Sequence, residues 1–348
     1  MPAPARTGNR LLLVARFDDD LHSHAALRLR ALQRLGCTVS SFDLTAKPGI
    51  LDRLRGGDLA VRLRRAIEEA RPSMVLVIRG EGLTVETVLD LKRSTKTAWT
   101  NWYPDDLRSF ITVEDGAGAY DYIFAAGTDV VDRIKARLGY TARYLPLACD
   151  PSVHRPVQPR SPFRANVVFV GSATARREGH LRELVEFGLA IWGPGWRRSS
   201  LRDYCRGEML STSDYVRAYS GASVAVNVHR EADREPAADE KAVNQRTFEI
   251  AAIGVPQVVD FRADLHRSFQ DGKDLLVYRS PAQLRILVGA ALNDLPVAQK
   301  LGEAARRKAL TRHTYMHRFS TMLRAFSRGA PDEPSTDIGS EPIWWDPK

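Results

Sequence analysis

The chain has 348 residues, 44% of them hydrophobic and 27% charged, with a net charge of +9 at neutral pH. That length and balance fit two globular domains that bury their cores without disulfide or metal staples, and they exclude a disordered or fibrous chain. No apolar run reaches the roughly 18 residues that span a bilayer, the N-terminus lacks the apolar core of a signal peptide, and Cys37, Cys149 and Cys205 are scattered without metal or redox spacing, so a cytoplasmic protein with reduced thiols and no transmembrane segment is expected. The positive charge comes from arginines spread along the chain, with no basic block interleaved with aromatics, and a nucleic-acid partner is therefore not expected.

In chain order, Leu11–Ala15 is a short apolar run that reads as a parallel strand. A polar loop, 16–24, leads into a helix with Ala25, Leu29 and Leu32 on one face; Gly36 ends it, and 37–44 alternates as a second strand. This β-loop-α-β opening is Rossmann-like but lacks the G-x-G-x-x-G of a dinucleotide cradle. The alternation continues with strands at 74–78, 98–102, 121–126 and 142–146, and with helices from Asp58, Val85 and Thr128. Ligands of open α/β sheets lie beyond the carboxyl ends of the strands, which singles out three loops. One carries His22 and His24, which titrate near neutral pH, beside Asp18–Asp20. The second is Arg79-Gly80-Glu81-Gly82, and the third is Tyr103-Pro104-Asp105-Asp106. His22, His24, Asp105 and Asp106 are each able to act as a general base, and the residues alone do not rank them; a Pro-Asp-Asp turn is equally suited to capping a helix.

The Pro-rich stretch 145–162 marks a domain boundary. The strand at 166–172 ends in Gly171-Ser172, followed by Arg176-Arg177 and a helix over 181–187. A small-residue turn lets backbone N–H groups approach a phosphate, and the two arginines supply matching charge. Trp192 ends the next strand, Ser213 caps a short helix, and the strand at 224–230 brings Asn227 and His229 to one side before a polar loop over 231–241. Asn244–Asp260 then reads N-Q-R-T-F-E-I-A-A-I-G-V-P-Q-V-V-D. The spacing predicts a helix to Ile253, stopped by Gly254, and a strand over 257–259. Glu249 is a carboxylate inside this otherwise apolar helix. Buried carboxylates need partners, and a ribose diol offers two hydroxyl donors. Arg246, one turn earlier, is close enough to meet Glu249 or a phosphate. Three more helices, ending with 315–328, close the second domain, and 329–348 is a Pro-, Asp- and Ser-rich tail.

The Asn244–Asp260 stretch resembles the nucleotide-sugar-binding signature of GT-B glycosyltransferases, and its N-x-R-x-F-E form is similar to the spore-maturation (CgeB-type) glycosyltransferase family. Tyr103–Asp106, the crossing segment Leu145–Pro156 and Asp271–Tyr278 resemble segments of the same family, with a departure at His154, where an aromatic is usual. The resemblance implies an α/β chain of GT-B type, two Rossmann-like domains facing an interdomain cleft: an acceptor domain over 1–150, a nucleotide-sugar domain over 151–328, and a tail over 329–348 that packs back on the body. It implies transfer of a sugar from a UDP-, GDP- or TDP-sugar co-substrate to an unidentified acceptor hydroxyl or amine, with no tightly bound cofactor and no metal. Glu249 matches the residue that holds the ribose, and Arg177 the basic phosphate-binding residue. Gly171, Ser172 and Arg176 join it at the diphosphate, Trp192 lies toward the base, and Asn227, Asn244 and Arg246 complete the donor site. The E-x7-E of many retaining enzymes is broken, because Lys241 stands eight residues before Glu249; retaining stereochemistry is not implied. A sugar-nucleotide epimerase on the same fold, which turns over without an acceptor, and a catalytically silent scaffold, which binds no nucleotide, are the alternatives.

Overall fold

The computed structural model describes residues 10–18, 20–46, 58–159, 161–208, 210–230 and 240–328. Asp19, most of the polar loop at 231–241 and the tail over 329–348 lie outside them. The chain divides into two compact units, one built from residues up to Pro146 together with 315–328, the other from Leu147–Thr314. The helix expected to close the second domain therefore belongs to the first unit.

The first unit is a parallel sheet of six strands, β1 (Arg10–Ala15), β2 (Thr38–Asp43), β3 (Met74–Ile78), β4 (Ala98–Tyr103), β5 (Tyr122–Ala125) and β6 (Ala142–Tyr144), in the order β2-β1-β3-β4-β5-β6. Strands β1 and β3 are apolar runs because helices cover both faces of a parallel sheet. The crossovers are α1 (His24–Arg34), α2 (Leu59–Ala70), α3 (Val85–Thr95), the short α4 (Leu107–Ile111) and α5 (Thr128–Leu138). Thr128 is the first residue of α5 rather than its cap, a place taken by Gly127. Trp99 and Trp102 are fully buried, and Trp102 Nε1 donates to Leu145 O at 3.0 Å. The strand order reverses between β1 and β3, so the crevice of this sheet opens at their carboxyl ends.

The second unit is another six-stranded parallel sheet, β7 (Ala165–Val170), β8 (Leu189–Trp192), β9 (Cys205–Gly207), β10 (Ala222–Asn227), β11 (Gln257–Asp260) and β12 (Leu276–Tyr278), in the order β12-β11-β10-β7-β8-β9. Its helices are α6 (Ala175–Arg182), α7 (Thr212–Ser220), α8 (Gln245–Ile253), α9 (Pro281–Asn293) and α10 (Leu295–Arg312). Two differ from expectation. Helix α6 starts at Ala175, six residues before the expected helix, because Thr174 Oγ1 accepts from Arg177 N–H; its Arg-Arg-Glu-Gly composition carries no apolar periodicity to announce it. Helix α7 is capped by Ser211 rather than Ser213. Here the reversal falls between β7 and β10, so residues following Val170 and Asn227 share the crevice. The last described helix, α11 (Tyr315–Arg328), returns to the first unit, where Phe319 and Tyr315 meet Trp102 edge-on with ring centroids 5.9 and 6.4 Å away. Among the described residues no helix is long and apolar enough to cross a membrane.

Candidate functional site

At the switch point of the second sheet, the Gly171 turn presses directly on the turn after β8. Gly193 sits at φ +141°, and a Cβ there would meet Gly171 O at 2.1 Å, so only glycine allows the approach. Ala173 N–H donates to Pro194 O at 2.9 Å, and Trp196 Nε1 donates to Gly171 O at 2.7 Å. The turn is thus held by backbone and by a buried indole, with only the small side chains of Ser172 and Ala173 on it. Arg177, expected to meet a phosphate, points inward instead. Its Nε and Nη2 donate to Val228 O and its Nη1 to Ser172 O and Oγ, all within 3.1 Å. Burial pushes its guanidinium down to about 10, partly countered by Asp260. Arg176, a quarter exposed, is the arginine left at the rim.

Asn227 and Asn244 form a reciprocal amide pair at 2.9 and 3.0 Å, and Asn244 Oδ1 caps α8 by accepting from Thr247 N–H. This pins the start of α8 to the end of β10. Within α8, Glu249 is 1% exposed, and its Oε2 accepts from Arg246 Nη1 at 2.7 Å. The Arg246 guanidinium lies 4.1 Å over the Tyr215 ring. Burial alone would lower Arg246; Glu249 outweighs it and holds the guanidinium above its ordinary value. His154, the residue that departs from the family pattern, sits beside this pair. Its Nδ1 accepts from Asp150 N–H, so Nε2 carries the proton, 2.7 Å from the Tyr215 hydroxyl and 3.6 Å from Glu249 Oε1. Trp192 is 3% exposed and packs against Phe163, as a core residue does.

The third group centres on His229 and Asp260, which the sequence does not pair. His229 Nε2 accepts from Asn244 N–H at 3.0 Å, which leaves Nδ1 to donate to Asp260 Oδ1 at 2.6 Å. Asp260 also takes Arg176 Nη2 at 3.0 Å, with Arg262 at 3.7 Å. Burial alone would raise Asp260; His229, Arg262 and Arg176 outweigh it and hold the carboxyl well below its usual range. Burial lowers His229, with Asp260 opposing. A histidine buried neutral leaves the unfolded chain with the higher proton affinity. Its stabilisation is complete above the unfolded value of about 6.5, declines as pH falls below it, and is gone below the folded value. Asp260 acts in a separate window, since its stabilisation holds above roughly pH 4. The melting temperature of the wild type is therefore expected to fall more steeply between pH 7 and 5 than that of His229→Gln, measured by calorimetry; parallel curves would show that His229 does not titrate on unfolding. A charged end on an otherwise apolar strand, Val-Val-Asp260, was the only available signal for this group.

In the first unit the candidate bases separate. Asp106 caps α4, its Oδ1 accepting from Ser109 N–H at 2.8 Å. His22 is half-buried beside Asp20, with its Nδ1 3.9 Å from Asp20 Oδ1. His24 is exposed at the start of α1, with Nδ1 3.5 Å from the Tyr315 hydroxyl. Asp105 stands in a chain of opposite charges across the switch point: Arg16 to Glu81 at 2.8 Å, Glu81 to Arg79 at 3.2 Å, and Arg79 Nε to Asp105 Oδ2 at 3.2 Å. Burial raises its carboxyl, with Arg79 and Arg28 opposing. Arg79 has φ +66°, left-handed for a residue with a side chain, which costs about 1–2 kcal/mol. Its N–H donates to Trp102 O, and Gly80 next to it has room for no Cβ, with Tyr120 Oη at 2.9 Å. Among the described residues no group of three or more His, Cys, Asp or Glu is arranged to hold a metal.

Residues 176–324 match the model of a glycosyl transferase-like family. No curated protein matches the chain. Among solved structures, sucrose-phosphate synthase from Thermosynechococcus elongatus is similar at 11% identity, with a TM-score of 0.65 over 92% of this chain and 100% of that one. Anabaena Alr3699/HepE, in complex with UDP and glucose, is similar at 11% identity, with a TM-score of 0.63 over 92% and 100%. The lipopolysaccharide outer core galactosyltransferase WaaB in its apo form gives 12% identity and a TM-score of 0.54 over 91% and 99%. The fold is the α/β GT-B fold, with its two Rossmann-like sheets.

Proposed function

We propose that the protein is a glycosyltransferase that moves a sugar from a nucleotide diphosphate-sugar to an acceptor hydroxyl or amine. The observation that carries this reading is the convergence at the β7–β10 switch point: a small-residue turn, Gly171-Ser172-Ala173, the start of α6 with Arg176, and a buried carboxylate on α8. The family match and the GT-B neighbours support it. In this reading Gly171, whose N–H is held by Trp192 O, leaves room for the diphosphate, and the Ser172 backbone and the Arg176 guanidinium face it, where fixed dipoles stabilise the leaving group without a metal. Arg177 shapes that turn from behind. Glu249, oriented by Arg246, takes the ribose hydroxyls, Trp192 backs the base, and Asn227 with Asn244 fixes the start of α8. Asp105 is the base of the acceptor side, because burial moves a carboxyl toward the operating pH while the capping role occupies Asp106. The CgeB-type family remains the subfamily this reading favours, on the N-x-R-x-F-E motif.

The test is thermal shift with UDP, GDP, TDP and their sugars on the wild type and on Glu249→Gln, which keeps an oxygen for Arg246. One nucleotide is expected to stabilise the wild type by about 2.7 kcal/mol at a hundredfold excess over Kd, and to stabilise the variant less. Silence from every nucleotide at millimolar concentration would remove the donor site.

A further inference from the structure

Phe261 and Arg279 follow β11 and β12 directly. Asp260 pairs with Tyr278 in the parallel register, and Phe261 N–H donates to Tyr278 O at 2.9 Å, so the two residues come side by side at the carboxyl edge of the sheet. Phe261 is 40% exposed; the other exposed large aromatic among the described residues, Tyr140, belongs to the first unit. The Arg279 guanidinium carbon lies over the ring, 3.5 Å from its centroid. Its side chain meets no carboxylate among the described residues, although the same chain pairs most of its arginines near the site with acids. A guanidinium stacked on a ring keeps its N–H edge in one plane, which fits a planar bidentate anion. Asp260, the residue before Phe261, reaches Arg176 from one face of β11, and Phe261 follows on the other face, so the strand end that carries the pair adjoins the rim of the Gly171 turn.

We infer that Phe261 and Arg279 form a subsite for a carboxylate-bearing sugar, a hexuronic acid linked to the nucleotide. This rests on the donor-site reading above. Neighbouring strands are about 4.8 Å apart, so β11 and β12 lie roughly 10 and 14 Å from β7 on the side away from Trp192. With the nucleoside running toward β8, the sugar runs toward Phe261. The exposed part of the ring then offers an apolar surface to the C–H face of the pyranose, and Arg279 offers its fork to a carboxylate at the ring's edge. The diphosphate does not need Arg279, because Arg176 stands next to the turn.

Isothermal titration of UDP, UDP-glucose and UDP-glucuronic acid into the wild type, Arg279→Gln and Phe261→Leu tests this; if GDP is the nucleotide that binds, GDP-mannose and GDP-mannuronic acid replace the sugars. The wild type is expected to bind the uronate about tenfold tighter than the neutral sugar. Arg279→Gln should erase that preference, Phe261→Leu should weaken both sugars, and all three proteins should bind the bare nucleotide alike. Equal affinity of the wild type for the two sugars, or a preference that survives Arg279→Gln, overturns the subsite while the donor site stands. If no nucleotide binds the wild type, the donor site falls and the subsite with it.

Discussion

Glu249→Ala is expected to destabilise the second unit by about 3–5 kcal/mol, the cost of leaving one partner of a buried ion pair alone. The pair is built for that outcome. The Glu249 side chain is 2% exposed, and Arg246 is fixed over the Tyr215 ring by the carboxylate 2.7 Å away. Without Glu249, only Tyr219 and Tyr215 oppose the effect of burial on the guanidinium, and the Arg246 stack that ties the first turn of α8 to α7 loses the carboxylate that orients it. Glu249→Gln retains the chain length and an acceptor oxygen, so its loss is smaller. Calorimetry on the three proteins reads the order directly: wild type above Gln above Ala. A Glu249→Ala protein within about 1 kcal/mol of the wild type would mean that the pair contributes little to holding α8. The same reasoning makes the glutamine variant the cleaner probe of nucleotide binding, because its fold remains intact when the charge is gone.

Asp105→Asn is expected to reduce release of free nucleotide from the bound nucleotide-sugar by about 10²–10⁴-fold, the range for loss of a positioned general base. Nucleotide affinity should be unchanged, since Asp105 belongs to the first unit and the proposed donor residues to the second. Asn is nearly isosteric, so the substitution removes the proton acceptor and its charge opposite Arg79 while keeping the side-chain shape. In the wild type the rate should decline as acid protonates Asp105, whose carboxyl is already raised by burial. Asp106→Ala is the control; it removes the α4 cap, costs about 1 kcal/mol of stability, and leaves the chemistry in place. A rate for Asp105→Asn within tenfold of the wild type would pass the role to His22 or His24.

The two sheets were legible in the sequence because buried parallel strands write themselves as short apolar runs, as Leu-Leu-Leu-Val-Ala and Met-Val-Leu-Val-Ile do. Glu249 was legible for a related reason: a lone carboxylate in an apolar helix has to be accounted for. What stayed hidden depends on contacts distant in the chain. Arg177 looks like a phosphate ligand until Val228 O, 51 positions along, is seen to accept its Nε and Nη2. Asp105 and Asp106 are the same residue type in one turn, and only the N–H of Ser109 assigns one of them to capping. The early start of α6 was masked by its charge, and the edge strand β9, three residues long, is too short to show alternation. Helix α11 has an apolar face, but nothing in its spacing says whose core that face joins.

That last helix bears on how the molecule can be dissected. Among the described residues the second unit is one stretch, 147–314, whereas the first is completed by residues that come after it in the chain. A gene fragment encoding 147–314 carries the whole of one sheet and every proposed donor residue. A fragment ending at 146 leaves Trp102, fully buried in the intact chain, without the aromatic rings of Tyr315 and Phe319. Exchanging the first unit for that of a related chain would accordingly need two splice points, with α11 travelling alongside the N-terminal sheet.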